Sequence, residues 1–171
     1  FCDTLWAENG EEKSIDEVMN EVEKLKCKNI VITGGESLTQ LLDLKILVNE
    51  LIRKGYEITI ETNGTIFDEV LMKFTRISCS PKKQAINIHN LKLLNKCGAR
   101  FKFVYENKKD LWWEKVIEDA GITNFNKIYI MPEGKTREEQ LNKIIEVIEY
   151  CKLKGFNVAP RLHTLIWDKK R

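Results

Sequence analysis

The feature that most constrains the fold is the regular alternation of short apolar runs with longer amphipathic segments. Runs typical of buried strands lie at residues 29–33, 57–61, 76–79, 101–105, 127–131 and 157–159. Helices are predicted at residues 15 to about 26, 41–54, 67–74, 90–96, 111–120 and 137 to about 154. Strands that alternate with helical crossovers form parallel sheets with helices packed outside them. We therefore expect an α/β domain with a sheet of six parallel strands.

Local end signals support these helix boundaries. Ser14 with Glu17, and Thr136 with Glu139, match the capping box that opens a helix. Gly55 and Gly155 follow two of the predicted helices, where the left-handed conformation favours glycine. The start of the first helix and both ends of the longest one are thus predicted independently of their apolar spacing.

Composition narrows the functional class. A chain of 171 residues with 43% hydrophobic content can bury one core, so we expect a single domain. The net charge of +2 comes without a basic block, which argues against nucleic-acid binding, and no apolar run reaches the roughly 18–20 residues of a membrane span. The odd number of scattered cysteines favours a reducing, cytoplasmic environment over a disulfide framework. Four of them are expected to be small buried hydrophobic residues: Cys27, Cys79, Cys97 and Cys151.

Polar motifs follow several of the predicted strands. They are Thr33-Gly34-Gly35-Glu36, Glu61-Thr62-Asn63-Gly64-Thr65, Ser78-Cys79-Ser80-Pro81-Lys82, Met131-Pro132-Glu133-Gly134 and Pro160-Arg161-Leu162-His163. Each has an ordinary structural interpretation, such as a tight turn, a paired carboxylate, a hydroxyl bonded to backbone, or a packed histidine. Right-handed crossovers would nevertheless bring the carboxyl ends of all the strands to one rim, where sites form in barrels and doubly wound sheets. Their shared position predicts one site.

Together with Cys2-Asp3-Thr4 and the C-terminal Arg161-Leu162-His163…Trp167, these motifs resemble the 7-carboxy-7-deazaguanine synthase family of radical S-adenosylmethionine (SAM) enzymes. The resemblance implies a partial, open TIM-like barrel with outer helices, the radical SAM core. We expect residues 1–171 to form this single domain without its N-terminal strand and part of the cluster loop. Cys2 then resembles the third cysteine of the loop. Ser37 departs from the family, which usually has proline there, without removing a ligand group.

The resemblance also assigns cofactor residues. Cys2 would be a thiolate ligand of a 4Fe–4S cluster, and Thr4 would be a ligand of Mg²⁺, which prefers hard oxygen donors. The backbone of Phe1 to Asp3, together with Gly35, would line SAM, and Glu36 would accept from its amine. Ser78, Ser80 and Lys82 would hold its carboxylate or ribose. Met131, Pro132 and Glu133 would flank its adenine.

The substrate implied by the family is a pterin, 6-carboxy-5,6,7,8-tetrahydropterin. Thr33, Glu61, Arg161 and His163 would bind it, and Glu61 and His163 are the candidate catalytic residues. A carboxylate can accept from the donor-rich, guanidine-like edge of a pterin. The product would be 7-carboxy-7-deazaguanine, the 7-deazapurine precursor of queuosine and archaeosine, formed with loss of ammonia.

The family further implies a homodimer and a flavodoxin- or ferredoxin-type electron donor. Two alternatives remain open on the residues alone. One is another short radical SAM enzyme, such as an activase that makes a glycyl radical on a protein; it has no reason to keep Thr4 or the Arg161–His163 segment. The other is a binding scaffold without a cluster, which an upstream segment lacking cysteines would favour.

Overall fold

The fold is built on six strands that lie side by side in the order of the chain. The computed structural model describes residues 10–168. All five strand pairings are parallel, which confirms the predicted sheet. The strands are β1 (Asn29–Ile32), β2 (Glu57–Thr62), β3 (Arg76–Cys79), β4 (Arg100–Tyr105), β5 (Ile128–Pro132) and β6 (Asn157–Val158).

Within the described part of the chain, one α-helix lies between each pair of successive strands, another precedes β1 and another follows β6. The helices are α1 (Ile15–Lys24), α2 (Leu41–Arg53), α3 (Glu69–Phe74), α4 (Ile88–Lys96), α5 (Trp112–Asp119), α6 (Arg137–Lys154) and α7 (Leu162–Trp167). Because each strand pairs with the next one in the chain, right-handed crossovers place the connecting helices on the same side of the sheet. The strand order leaves β1 and β6 as the edges of the described sheet. The expected open, partial barrel with outer helices is therefore confirmed.

The two faces of the sheet differ in chemistry. On β2, Ile58 and Ile60 are buried towards the helices, whereas Thr59 and Glu61 on the opposite, open face are only half-buried. The alternation follows from the two-residue period of a strand. Other strands repeat it, and the helix face of the sheet also buries Ile77, Phe101, Phe103, Ile128 and Ile130. One face thus forms the core, and the other is available for a site.

Several predicted boundaries were wrong by a few residues. α1 ends at Lys24, and Lys26 has a φ of 52°, which cannot continue a helix. α3 begins at Glu69 and not at Phe67, because the side chain of Asp68 caps it by accepting from the backbone N–H of Leu71 at 3.0 Å. β6 is two residues long. Helix α7 and the two short 3₁₀ helices at Ser37–Gln40 and Phe125–Lys127 were not predicted.

The predicted helix caps are confirmed, and the predicted burial of the cysteines is confirmed only in part. Both capping boxes are formed, and the glycines after α2 and α6 are left-handed, with φ values of 76° and 73°. Of the four cysteines expected to be buried, Cys79 and Cys151 are, Cys97 is half-buried and Cys27 is exposed. The prediction was wrong for Cys27, which follows the end of α1 and lies in the connection to β1. Within residues 10–168, no helix combines the length and apolar character required to cross a bilayer.

Candidate active site

The predicted site residues of β2, β3 and β5 lie on or near the open face, towards the carboxyl ends of the strands. Glu61 lies opposite Ser78 in the register of β2 and β3. Lys102 of β4 and Met131 of β5 are half-buried on the same face. A groove of about 400 Å³ runs along this face from Glu61 and Ser78 towards the amino ends of β3 and β4, where its lining includes Arg76, Gly98 and Arg100. The topology therefore places these side chains along a shared open surface.

The loop after β1 shows why Gly35 could serve a ligand. A Cβ built on Gly35 would meet no atom within 4 Å, and its φ lies outside the left-handed region. Neither backbone conformation nor packing among the described residues therefore requires glycine at this position. Gly34 has a φ of 153° and is also open. A ligand lying against this backbone would account for the absent side chain at Gly35.

Glu36 binds the neighbouring strand end. Its carboxylate accepts from the hydroxyl of Thr62 at 2.8 Å and from the backbone N–H of Asn63 at 2.6 Å. It also accepts from the N–H of Leu38 at 3.3 Å and so caps the 3₁₀ helix that follows. Because a carboxylate offers about four acceptor positions, these contacts leave room for one further donor. This bridging role was not predicted from the sequence.

The turn after β2 requires its glycine. Gly64 has a φ of 83°, and a Cβ there would lie 2.8 Å from Leu91 Cδ2 and 2.9 Å from Cys79 Sγ. Both conformation and packing therefore exclude a larger residue. This turn fixes the segment that hydrogen-bonds to Glu36.

Glu61 lies in a small polar network across the open face. Its Oε2 accepts from Thr33 Oγ1 at 3.0 Å, and its Oε1 lies 3.7 Å from Lys102 Nζ. The Glu61 side chain is 40% exposed, so its carboxylate is accessible from the open face. Thr33 and Glu61 are brought together as predicted. Lys102 was missed, although its alternation with Phe101 and Phe103 places it on the open face.

The polar side chains at the end of β3 and just after it bond to one another and to β4. Ser80 donates its hydroxyl to the carbonyl of Lys102 at 3.1 Å, and Lys82 Nζ donates to Ser80 Oγ at 3.3 Å. Ser78 lines the groove beside Glu61. The structure thus brings Ser80 and Lys82 together, while the Ser80 hydroxyl also ties β3 to β4.

The residues after β5 divide between the two faces. Met131 is half-buried on the open face, Pro132 is buried towards the helices, and Glu133 forms an ion pair with Lys143 of α6. Gly134 packs against the start of α6, where a Cβ would lie 2.8 Å from Glu139 Cβ and 3.1 Å from the backbone N of Gln140. Pro132 can therefore contribute its backbone to the rim more readily than its ring.

Gln140 joins this loop to the C-terminal segment and was missed by the sequence analysis. Its buried side chain donates from Nε2 to the carbonyls of Pro132 at 2.7 Å and Gly134 at 3.1 Å. Its Oε1 accepts from the backbone N–H of Arg161 at 3.2 Å. Arg161 Nη1 also donates to the carbonyl of Gly134 at 3.0 Å. The sequence feature that could have indicated this role is a glutamine at a core-facing position of a helix.

Helix α7 carries the half-buried His163 and is held by Arg137 of α6. The guanidinium of Arg137 donates to the carbonyls of Leu165 and Ile166, both at 2.7 Å. The backbone N–H of Arg137 donates to the carboxylate of Asp168, also at 2.7 Å. Arg161 and His163 are thus positioned by α6 and by the loop after β5, whereas Glu61 contacts Lys102 of β4. The two sets of residues belong to neighbouring parts of the sheet, because β4 pairs with β5.

The predicted cluster and magnesium residues, Phe1 to Thr4, lie outside the described residues. Within residues 10–168, no group of three or more His, Cys, Asp or Glu side chains is placed to hold a metal ion. The thiol of Cys79 is buried, and this burial raises its pKa, which disfavours the thiolate that an iron–sulfur cluster needs. The described part of the site instead presents the open backbone at Gly35 and the polar groups of Ser78, Ser80 and Lys82, which suit a zwitterionic amino acid and a ribose.

Comparison with known proteins gives concordant results. Residues 1–89 match the model of the radical SAM superfamily. A 7-carboxy-7-deazaguanine synthase of Aquifex aeolicus is 32% identical over 162 residues, covering 91% of this chain and 72% of that protein. The synthase of Hyperthermus butylicus is 30% identical over 185 residues, covering 97% and 78%.

A fold comparison agrees. The crystal structure of QueE from Escherichia coli superposes with a TM-score of 0.64 at 19% identity, covering 87% of this chain. The chain spans 64% of that solved structure, which is somewhat less than two thirds of its length. At this identity the superposition bears on the fold.

Proposed function

We propose that this chain, which belongs to the radical SAM superfamily and within it to the 7-carboxy-7-deazaguanine synthase family, converts 6-carboxy-5,6,7,8-tetrahydropterin to 7-carboxy-7-deazaguanine with loss of ammonia. The observation that carries the proposal is the 32% identity to a synthase of that name over 91% of the chain. The polar rim around Glu61 supports it, because it offers carboxylate oxygens as acceptors to a donor-rich heterocycle.

The cofactor side of the site follows from the open loop after β1. When bound, SAM and a 4Fe–4S cluster supply the one-electron chemistry that generates a carbon radical able to take hydrogen from the substrate. Cys2 would be one cluster ligand and Thr4 a ligand of Mg²⁺. The backbone at Gly35 would lie against SAM, and the remaining acceptor position of Glu36 would take its amine.

The other cofactor contacts come from β3 and β5. Ser78 and Lys82 would bind the carboxylate or ribose of SAM, with Ser80 holding Lys82 in place at 3.3 Å. Met131 would pack on the adenine from the open face, and the backbone of Pro132 and Glu133 would border it. These groups bind and orient, and they exclude water from the reacting centre.

On the substrate side, Glu61 would accept from the guanidine-like edge of the pterin. Thr33 donates to Oε2 of Glu61, and Lys102 lies 3.7 Å from Oε1, so the carboxylate is oriented. These two contacts leave further acceptor positions on the Glu61 carboxylate for a ligand. Arg161 and His163 would bind the substrate from α7, with His163 as the candidate to move a proton.

The test is anaerobic reconstitution of the full-length protein with iron and sulfide, followed by electron paramagnetic resonance of the reduced sample and product analysis with SAM, Mg²⁺ and the pterin. We expect a reduced-cluster signal that SAM alters, and deazaguanine product. A cluster without product would point to a different radical enzyme, and no cluster would point to a scaffold. Cys2→Ser should abolish the cluster, whereas Cys27→Ser, at an exposed cysteine, should not.

Variants on one strand then test the substrate assignment. Glu61→Gln should raise the KM for the pterin by roughly tenfold or more, the effect of losing a charge-assisted contact, with the cluster signal unchanged. Glu57→Gln is the matched control. It lies on the same strand and face but at the amino end, where it pairs at 2.6 Å with Arg76 at the far end of the groove. Equal effects of the two variants would contradict the role of Glu61.

We further propose a cytoplasmic homodimer that receives electrons from a flavodoxin- or ferredoxin-type donor. The family resemblance supports these assignments, and the product would enter 7-deazapurine synthesis towards queuosine or archaeosine. Reduction of the reconstituted cluster by purified flavodoxin or ferredoxin would test the donor.

A further inference from the structure

Helix α6 carries apolar residues on its core-facing side and on an adjoining exposed side. One side buries Val147 and Cys151 in the core. A neighbouring side of the helix, about a third of a turn or more round from Val147, exposes Leu141, Ile145 and Ile148, at 52%, 71% and 38% respectively. These three recur at spacings of four and three residues, as in the seam of a coiled coil. We call them the outer seam, and within residues 10–168 they are not covered by a packed element.

Charges flank the outer seam with opposite signs. Glu138 lies in the first turn of α6 and Lys152 in the last, on the same side of the helix as Ile145. They are equally distant from Ile145 along the chain. An antiparallel second copy would therefore place Glu138 of each molecule opposite Lys152 of the other, whereas a parallel copy would place like charges together.

We propose that the outer seam binds the outer seam of a second copy, antiparallel, about a two-fold axis that passes close to Ile145. The inference deepens the proposed homodimer by naming its surface, and it does not depend on the reaction. Such an interface is self-complementary, as a two-fold axis requires. The 18 residues of α6 extend about 27 Å, long enough for a continuous helix pair.

Helix α7 enlarges the surface. Arg137 keeps α7 beside the first turn of α6 through its hydrogen bonds to the carbonyls of Leu165 and Ile166. Three large apolar side chains of α7 are exposed there: Leu162, Ile166 and Trp167. The apolar area of α7 adds to that of the outer seam, and a stable interface buries roughly 800 Å² on each partner.

A second exposed apolar surface, a groove of about 370 Å³ between α2 and α3, is lined by residues that include Ile46, Val70 and Phe74. Nothing in the structure indicates what covers it. It therefore provides a control, because Ile46 is a similarly exposed isoleucine at 54%.

The test is sedimentation velocity of the full-length protein over a concentration series. We expect a dimer that Ile145→Glu weakens by roughly a hundredfold or more, because the change puts two carboxylates into an apolar contact. Ile46→Glu should leave the dimer intact. A monomeric wild-type protein, or loss of the dimer in Ile46→Glu and not in Ile145→Glu, would overturn the proposal. Far-ultraviolet circular dichroism of both variants separates dissociation from unfolding.

Charge reversal tests the antiparallel register. Glu138→Lys and Lys152→Glu should each weaken the dimer by roughly tenfold or more, because like charges then meet twice across the axis. An equal mixture of the two should form a heterodimer of near wild-type affinity, since both contacts regain opposite charges. Lys152 also pairs with Glu149 of its own helix at 3.0 Å, and Lys115→Glu, which breaks a similar exposed pair with Asp119 on α5, is the control for losing such a pair. If the mixture is as weak as the single variants, the register is wrong.

Discussion

Replacing Gln140 by methionine tests whether one buried amide holds the rim together. Methionine has a similar length and shape but cannot form the hydrogen bonds to Pro132, Gly134 and Arg161. The carbonyl of Gly134 keeps its contact with the Arg161 guanidinium. The carbonyl of Pro132 and the backbone N–H of Arg161 are therefore the two groups that lose the Gln140 amide as a partner. At about 1–3 kcal/mol for each unpaired group, partly offset by the apolar replacement, we expect a loss of about 2–4 kcal/mol.

That loss corresponds to a fall in Tm of roughly 4–16 °C for a domain of this size. Urea unfolding and thermal scans, followed by circular dichroism, measure both quantities. Gln84→Met, at an exposed glutamine, is the control. Below the transition we also expect higher KM values for SAM and pterin with little change in kcat. A Gln140→Met protein within about 0.5 kcal/mol of wild type would refute the reasoning.

Three further predictions concern conformation, pH and thiol chemistry. Gly64→Ala should cost about 1–3 kcal/mol more than Gly55→Ala, because both have positive φ but only Gly64 is crowded; equal urea midpoints would contradict this. Lys154, 2.7 Å from Glu114, holds the pKa of that carboxyl below its usual 4.5, so its stabilisation is present at neutral pH and is lost as the pH falls through the lowered pKa. The difference in urea midpoint between wild type and Glu114→Gln should therefore shrink on acidification, and a constant difference would argue against the pair. Burial raises the pKa of the Cys79 thiol, so iodoacetamide at pH 8 should label it, by mass spectrometry, only after unfolding, and rapid labelling of the native protein would contradict this.

The strands and most helices could be predicted because their signals are local. β3, for example, was predicted at its observed limits, residues 76–79, since the alternation of Arg76 and Ser78 with Ile77 and Cys79, followed by Ser80-Pro81, defines it. Helix α7 could not be predicted in this way. It is six residues long and has no side-chain cap at Arg161. The observed contacts that hold it come from α6, through Arg137, and such long-range contacts leave no local pattern.

The candidate site divides in the same way. Its rim position followed from strand ends and crossover handedness, so Thr33 and Glu61 were correctly expected to lie together. The pairing of Glu61 with Lys102 spans the intervening strand β3, and it depends on sheet curvature and side-chain reach. The three protein donors to Glu36 likewise come from a fold already formed. Sequence spacing predicts which residues reach the rim, whereas packing decides which of their atoms remain available.

That distinction separates the two carboxylates at the rim. Glu36 already accepts three hydrogen bonds, two of them from the strand end at Thr62 and Asn63, whereas Glu61 accepts one and lies near one ammonium group. Glu36→Gln should therefore cost about 1.5–3 kcal/mol of stability, because an amide N–H would face a donor. Glu61→Gln should cost at most about 1 kcal/mol, as for an exposed pair, and act mainly on the KM for the pterin. Urea unfolding and steady-state kinetics on both variants measure the split, and a larger stability loss in Glu61→Gln than in Glu36→Gln would reverse the assignment of which carboxylate supports the fold and which one meets the substrate.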